Sequence, residues 1–199
     1  MYMYTSFMRR NFMFVFFSFV LMIFSCSAIN ADYHGKVGDT IEDGECLTFT
    51  ANEADSSVTF KWLAGSDVQC NKNDEGWTDY TAGTTIALDK DDYVKFKGTD
   101  VKTGYSNHFS MTGSISASGC VDSLRTDSSG KFQGLAQNCY KCMFRECTGL
   151  TTAPELPATT LAYRCYYGMF NGCGKLTTAP ALPATSLADS CYQDMFYRC

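Results

Sequence analysis

Thiols give this chain most of its chemical potential: eleven cysteines stand against two histidines in 199 residues. Cysteine thiolates bind zinc, attack carbonyls and pair as disulfides. Cys139, Cys142 and Cys147 lie close enough in sequence to suggest a zinc cluster. Zinc sites, however, use paired short spacings or histidines, and position 142 is Gly168 and Asp194 in the sister segments described below. Asn71, Asn73, Glu75 and Gly76 have the spacing of half a calcium loop, but the twelfth position is Ala82 where a bidentate acid is required. Asp89, Asp91 and Asp92 read as a solvated turn. No metal and no cofactor is expected. His34 and His108 stand in no HExxH or GxSxG context, and no cysteine carries the surroundings of a catalytic nucleophile, so the expectation is a protein that is not an enzyme. The remaining chemistry is stacking: Trp77, in the polar run NDEGWTDY, and Tyr80 could stack on sugar rings, whereas Trp62 alternates with Phe60 and reads as core.

The cysteines are periodic. A unit CYxxMFxxCxxLTTAPxLPATxLAxx starts at Cys139, again at Cys165 and again at Cys191, and the copies 139–164 and 165–190 agree at 16 of 26 positions. Self-similarity at this period is the mark of a stacked architecture with one long binding face. Tyr140, Met143, Phe144 and Cys147 stand at i, i+3, i+4 and i+7, which predicts a short helix opening each unit. Recurring leucines follow, Leu150, Leu156 and Leu161, then Leu176, Leu182 and Leu187, in an extended segment. This is a strand-plus-helix coil of leucine-rich-repeat type. All four prolines, Pro154, Pro157, Pro180 and Pro183, fall in these segments, so each coil can pair over only a few residues. If the cysteine columns lie on helices, neighbouring coils are about 8–10 Å apart, too far for a disulfide; those thiols are expected to act as small buried apolar groups. Cys46 and Cys70 are the expected disulfide.

The first 26 residues combine Arg9 and Arg10 with an apolar run from Phe12 to Phe24 and read as an export leader, too short to span a membrane. Ile23, Phe24, Ser25 and Cys26 resemble a lipobox, with lipidation at Cys26; cleavage after Ala28 is the other outcome. Removing residues 1–26 takes the net charge from −5 to −7, since two arginines and no acid are lost. Fifteen of the 21 acidic residues lie between Asp32 and Asp100, a poor surface for nucleic acid. The expected organisation is a leader at 1–26, a linker at 27–43, a β domain at 44–116, a connector at 117–138 and coils at 139–199. Strands are predicted at 46–51, 57–63, 84–88 and 93–97, rich in Thr, Val and aromatics. The predicted fold class is α+β: a small antiparallel β-sandwich-like domain followed by a leucine-rich-repeat-type solenoid fragment.

The segments CYKCMFRECTGLTTAPELPATTLA and CYYGMFNGCGKLTTAPALPATSLAD resemble the repeats of BspA-like leucine-rich-repeat surface proteins of gut and oral bacteria. Upstream, LTFTANEADSSVTFKW, GWTDYTAGTTIALDKDDYVKFKGTD and FSMTGSISASG resemble the domain that accompanies them. The resemblance implies an extracellular protein, secreted or held on the bacterial cell surface as an outer-membrane lipoprotein. It also implies adhesion to proteins of a host or of neighbouring bacteria, without enzymatic activity. Residues 119–138 match poorly and the coils are fewer than is usual, which reads as a fragment of a longer product. Within the coils, Arg145, Glu146, Glu155, Asn171 and Lys175 vary between copies and are the expected partner-facing residues. Carbohydrate binding through Trp77 and Tyr80, or a spacer role, are the alternatives.

Overall fold

Alternation of buried and half-buried residues builds the first strands. In β1 (Leu47–Ala51) Leu47, Phe49 and Ala51 point inward, and in β2 (Ser56–Phe60) Val58 and Phe60 do so. The computed structural model describes residues 35–199; the leader, Cys26 and His34 lie outside the described residues. Further strands are β3 (Val68–Lys72), β4 (Thr78–Asp79), β5 (Thr85–Leu88), β6 (Tyr93–Gly98), β7 (Phe109–Thr112), β8 (Ile115–Ser118) and β9 (Leu150–Thr152). They form a six-stranded sheet, β4-β3-β6-β1-β8-β9, and a three-stranded sheet, β5-β2-β7. Aromatic rings join the two: Phe60 stacks on Phe109 at 3.8 Å within the smaller sheet, and Phe49 and Phe96 of the larger sheet meet Phe109 edge-on at 4.9 and 5.4 Å. Such edge-to-face contacts add to the burial of large apolar rings. Every pairing in the β domain is antiparallel, while β9, the first extended piece of the repeats, joins β8 in parallel.

The predicted connector, residues 117–138, packs against the β domain. It holds a 3₁₀ turn, Val121–Leu124, all of whose residues are buried, and Phe132 is 1% exposed. Ser123 Oγ accepts the Leu47 N–H and donates towards Phe96 O at 3.0 Å, tying this turn to β1 and β6. The described residues belong to one compact unit, and a single hydrophobic cluster runs from the β domain into the repeats.

The largest departure from expectation is in the repeats. Among the described residues there is no α-helix, so the α+β class gives way to a β-rich one with two sheets. Residues 139–147 form successive four-residue turns. Odd-numbered N–H groups bond three residues back within the copy, as Met143 to Tyr140 O and Cys147 to Phe144 O. Even-numbered ones cross to the next copy: Tyr140, Cys142, Phe144 and Glu146 donate to the carbonyls of Cys165, Tyr167, Met169 and Asn171 at 2.8–3.0 Å. Tyr166, Gly168, Phe170 and Gly172 donate in the same way to Cys191, Gln193, Met195 and Tyr197. Every fourth residue has positive φ, namely Asn138, Cys142 and Glu146, then Arg164, Gly168 and Gly172, then Ser190, Asp194 and Arg198. That conformation cannot be part of a right-handed α-helix. Over nine residues a period of four and one of 3.6 differ by less than one position, so the apolar stripe fits both.

This geometry also corrects the spacing assumed for the cysteine columns. Copies joined by backbone hydrogen bonds lie about 4.8 Å apart, the ladder distance of a sheet, not the 8–10 Å of packed helices. The thiols are nonetheless free, and they donate S–H to carbonyls of the layer before: Cys147 to Phe109 O at 3.3 Å, Cys173 to Phe144 O at 3.0 Å and Cys199 to Phe170 O at 3.1 Å. Aromatic columns run alongside. Phe109, Phe144, Phe170 and Phe196 stack at 5.5, 5.4 and 5.6 Å, and Tyr140, Tyr166 and Tyr192 at 6.0 and 5.8 Å.

Phe109 belongs to β7, so the β domain supplies the layer that precedes the first copy. Thr103 N–H donates to Cys139 O and Phe109 N–H to Met143 O, matching the bonds between copies. The contact explains a difference in the repeat: Gly149 abuts the β7–β8 turn so closely that a Cβ would lie 2.4 Å from Gly113 O, and its counterpart, Lys175, is exposed.

Candidate functional site

In the four-residue turns the invariant Cys, Tyr, Met and Phe face inward, which leaves the positions between them on the outer face. Those positions vary: Lys141, Tyr167 and Gln193 form one column, and Arg145, Asn171 and Tyr197 the next. The turns therefore display a different set of side chains in each layer on a backbone fixed by the ladder. Tyr105, from the β6–β7 loop, completes the face beside the first layer. Together Tyr105, Arg145, Tyr167, Asn171, Tyr197 and Arg198 line a shallow cavity of about 280 Å³, with Cys142 and Gly168 in its wall.

The face is cationic and aromatic in a chain that is acidic elsewhere. Lys141 Nζ sits 4.4 Å from the Tyr105 ring centroid and 5.4 Å from that of Tyr167. Arg145 lies over Tyr105 at 5.7 Å, Arg164 over Tyr163 at 4.9 Å and over Tyr167 at 5.5 Å, and Arg198 over Tyr197 at 5.1 Å. Each such pair contributes about 0.5–1 kcal/mol at an exposed position and holds both side chains in place. Arg145 also pairs with Glu146 at 2.6 Å, and the Arg164 Nε is buried with no hydrogen-bond partner among the described residues. Tyr105 beside Tyr167, with Asp194 adding its charge, pushes the Tyr167 hydroxyl up to about 12. Burial raises the Cys142 thiol even though Lys141 and Arg145 pull it down, so it stays protonated near neutral pH and is a weak nucleophile. Planar rings, guanidinium groups and an amide are side chains found at docking surfaces.

Of the expected partner-facing residues, Arg145, Glu146 and Asn171 are brought together here. Glu155 is placed elsewhere, its backbone bonded to Gly119 and Val121 beside the 3₁₀ turn. Lys175 is exposed in the segment following the turns and outside the cavity lining. Lys141, Tyr167, Tyr197 and Arg198 escaped the sequence reading although they stand in the same variable columns. Tyr105 carried no local signal at all.

The stacking pair is separated. Tyr80 is core: it is 7% exposed, meets Phe96 edge-on at 5.4 Å, accepts the Phe60 N–H and donates to Thr84 O. Trp77 is half-buried, with Nε1 bonded to Asp43 and Lys97 Nζ over its ring at 4.0 Å, so one ring face is already covered. Trp62 packs on the core and bonds Ser66 O. The expected Cys46–Cys70 disulfide is not formed. Both thiols are free, and β6 runs between their strands, pairing Leu47 with Phe96 and Phe96 with Cys70. Two strand spacings, about 10 Å, exceed the Cα separation that a disulfide can bridge.

The acidic turns are structural. Asn71 Oδ1 accepts the Gly76 N–H, Asn73 bonds Asp92 and the Tyr93 N–H, and Asp92 pairs with Lys72 at 2.9 Å. Asp74 takes Lys95 and the Tyr93 hydroxyl, which hold its carboxyl below the usual range. His108 Nδ1 lies 2.6 Å from Phe109 O. Among the described residues no three His, Cys, Asp or Glu side chains gather in a metal-holding arrangement, and no helix is long and apolar enough to cross a membrane. Set against models of known protein families, curated proteins and solved structures, the chain matches none of them.

Proposed function

We propose that this chain is a non-enzymatic, exported binding module: a leucine-rich-repeat-type solenoid packed on a β domain, which docks a protein partner on host or neighbouring bacterial cells. One observation carries the reading. In the turn segments, residues that differ between copies converge on one outer face with Tyr105, Arg145, Tyr167 and Arg198, while the repeated Cys, Tyr, Met and Phe of the two full copies are inside. Exposed Tyr and Arg on a rigid frame are the side chains that dominate protein interfaces, because they bury large area at small entropic cost. The leader places the protein outside the cell, released or held by a lipid at Cys26; nucleic acid is not a partner of so acidic a chain. The carbohydrate alternative loses support, since Tyr80 is core and Trp77 keeps one covered face.

The test uses beads carrying the chain, applied to cultured epithelial cells and to whole bacteria, before and after protease treatment of those cells. Adhesion is expected to fall at least about tenfold when Arg145, Tyr167 and Arg198 are all changed to Ala, with a thermal midpoint unchanged within about 2 °C. It should also fall when the target cells are shaved with protease. Adhesion that survives protease and is abolished by periodate oxidation of the cells would instead support sugar recognition.

A further inference from the structure

Cys46 and Cys120 are a second thiol pair that the cysteine pattern does not single out, since neither belongs to a periodic column. Cys46 immediately precedes β1, and Cys120 follows β8 at the start of the buried 3₁₀ turn. The fold places them side by side as an isolated parallel β-bridge, with the Cys120 N–H bonded to Glu45 O at 2.8 Å. Directly paired residues of neighbouring strands have Cα atoms about 5 Å apart, inside the range of 4.4–6.8 Å that disulfides span. Both side chains are buried, at 2% and 1% exposure, in one small cluster with Ile41, Phe132 and Ala158. The approach is built in: Gly119 has φ +64, and a Cβ on it would stand 2.1 Å from Cys46 O, so only glycine admits this contact.

We propose that Cys46 and Cys120 form a disulfide when the protein folds in an oxidising compartment. The two thiols lose two protons and two electrons, an S–S bond forms, and the disulfide of an exported thiol oxidoreductase or of a small-molecule donor is reduced to two thiols. Burial pushes the Cys46 thiol up to about 12 and that of Cys120 well above its ordinary value, so exchange in the closed fold is slow and the bond forms before the cluster seals. Its position gives it a role. Cys120 also bridges to Glu155, and the Val121 N–H donates to Glu155 O, so the bond would fasten the start of β1 to the turn that carries the first copy. The cross-link closes a long loop, for which the denatured chain loses the most freedom.

The experiment exports the full chain, alkylates it under denaturing conditions without reductant and maps tryptic peptides by mass spectrometry. Peptide 37–61 linked to peptide 103–125, two hydrogens lighter than their sum and separated by reductant, is the expected product. Both peptides recovered with alkylated cysteine, or Cys46 linked to Cys70, overturns the proposal. Thermal midpoints give an independent reading: reduction in denaturant, followed by refolding with reductant present, should lower that of the exported protein by roughly 10 °C. It should leave a variant carrying Cys46→Ser and Cys120→Ser unmoved, while Cys70→Ser responds like the parent. Equal midpoints for the oxidised parent and the parent reduced in denaturant and refolded also overturn it.

Discussion

Copies 139–164 and 165–190 agree at 16 of 26 positions, yet the same residues meet different surroundings. In the turn segments the two are alike: Cys165, Tyr166, Met169 and Phe170 are as fully buried as Cys139, Tyr140, Met143 and Phe144. In the leucine segments they part. Leu156 is 2% exposed and its counterpart Leu182 38%, while Leu161 is half-buried and Leu187 is 68% exposed. The turn segment of the second copy lies between the first copy and residues 191–199, whereas its leucine segment has a neighbour on one side among the described residues. Burial in this architecture thus belongs to the layer next door, and an identical sequence earns a core position only where a neighbour stands. Polar groups follow the same rule. The Tyr140 hydroxyl donates to Val121 O at 2.9 Å, and the Tyr166 hydroxyl, one layer further from the β domain, is buried without a partner among the described residues.

The sharpest way to break this comparison is to truncate the two leucines. Leu156→Ala should cost about 2–5 kcal/mol, a buried leucine with its cavity, and Leu182→Ala under about 1 kcal/mol. Equal losses in denaturant titrations would mean that the copies share one environment. A smaller contrast comes from the tyrosines. Tyr140→Phe should lose about 1 kcal/mol with its hydrogen bond, while Tyr166→Phe should be neutral or slightly stabilising, because a buried hydroxyl without a partner carries only a desolvation cost. The smallest effect is informative through its sign. Glu146 has φ +61 and its counterpart is Gly172, so Glu146→Gly should be neutral or gain up to about 1 kcal/mol by relieving left-handed strain. The exposed Arg145 pair that it removes is worth under about 1 kcal/mol. In an α-helix the same change would lose about 1 kcal/mol.

Much of the β domain was legible because its strands alternate. The predicted strands at 46–51, 57–63, 84–88 and 93–97 overlap β1, β2, β5 and β6. β3 was not, since in Val68–Lys72 the buried positions are Val68 and Asn71, which breaks the two-residue rhythm. The buried turn at Val121–Leu124 was hidden by its own composition, with Asp122 and Ser123 inside. In the repeats the stripe of Tyr, Met, Phe and Cys fits the helical period, yet Gly168 and Gly172, four apart, already mark the left-handed positions of a four-residue turn. Half of the candidate face was visible as variable positions. Tyr105 was not, because only the docking of the β domain as the preceding layer brings it there.

Residue-resolved hydrogen exchange at the turn segments tests the crossing ladder most directly. The N–H groups of Tyr166, Gly168, Phe170 and Gly172 donate to the next layer, while those of Tyr192, Asp194, Phe196 and Arg198 have no partner among the described residues. The first four should therefore exchange slowly and the second four at nearly the rate of an unstructured chain. Uniform protection of 192–198, matching that of 166–172, would contradict the ladder and restore a helix in each repeat.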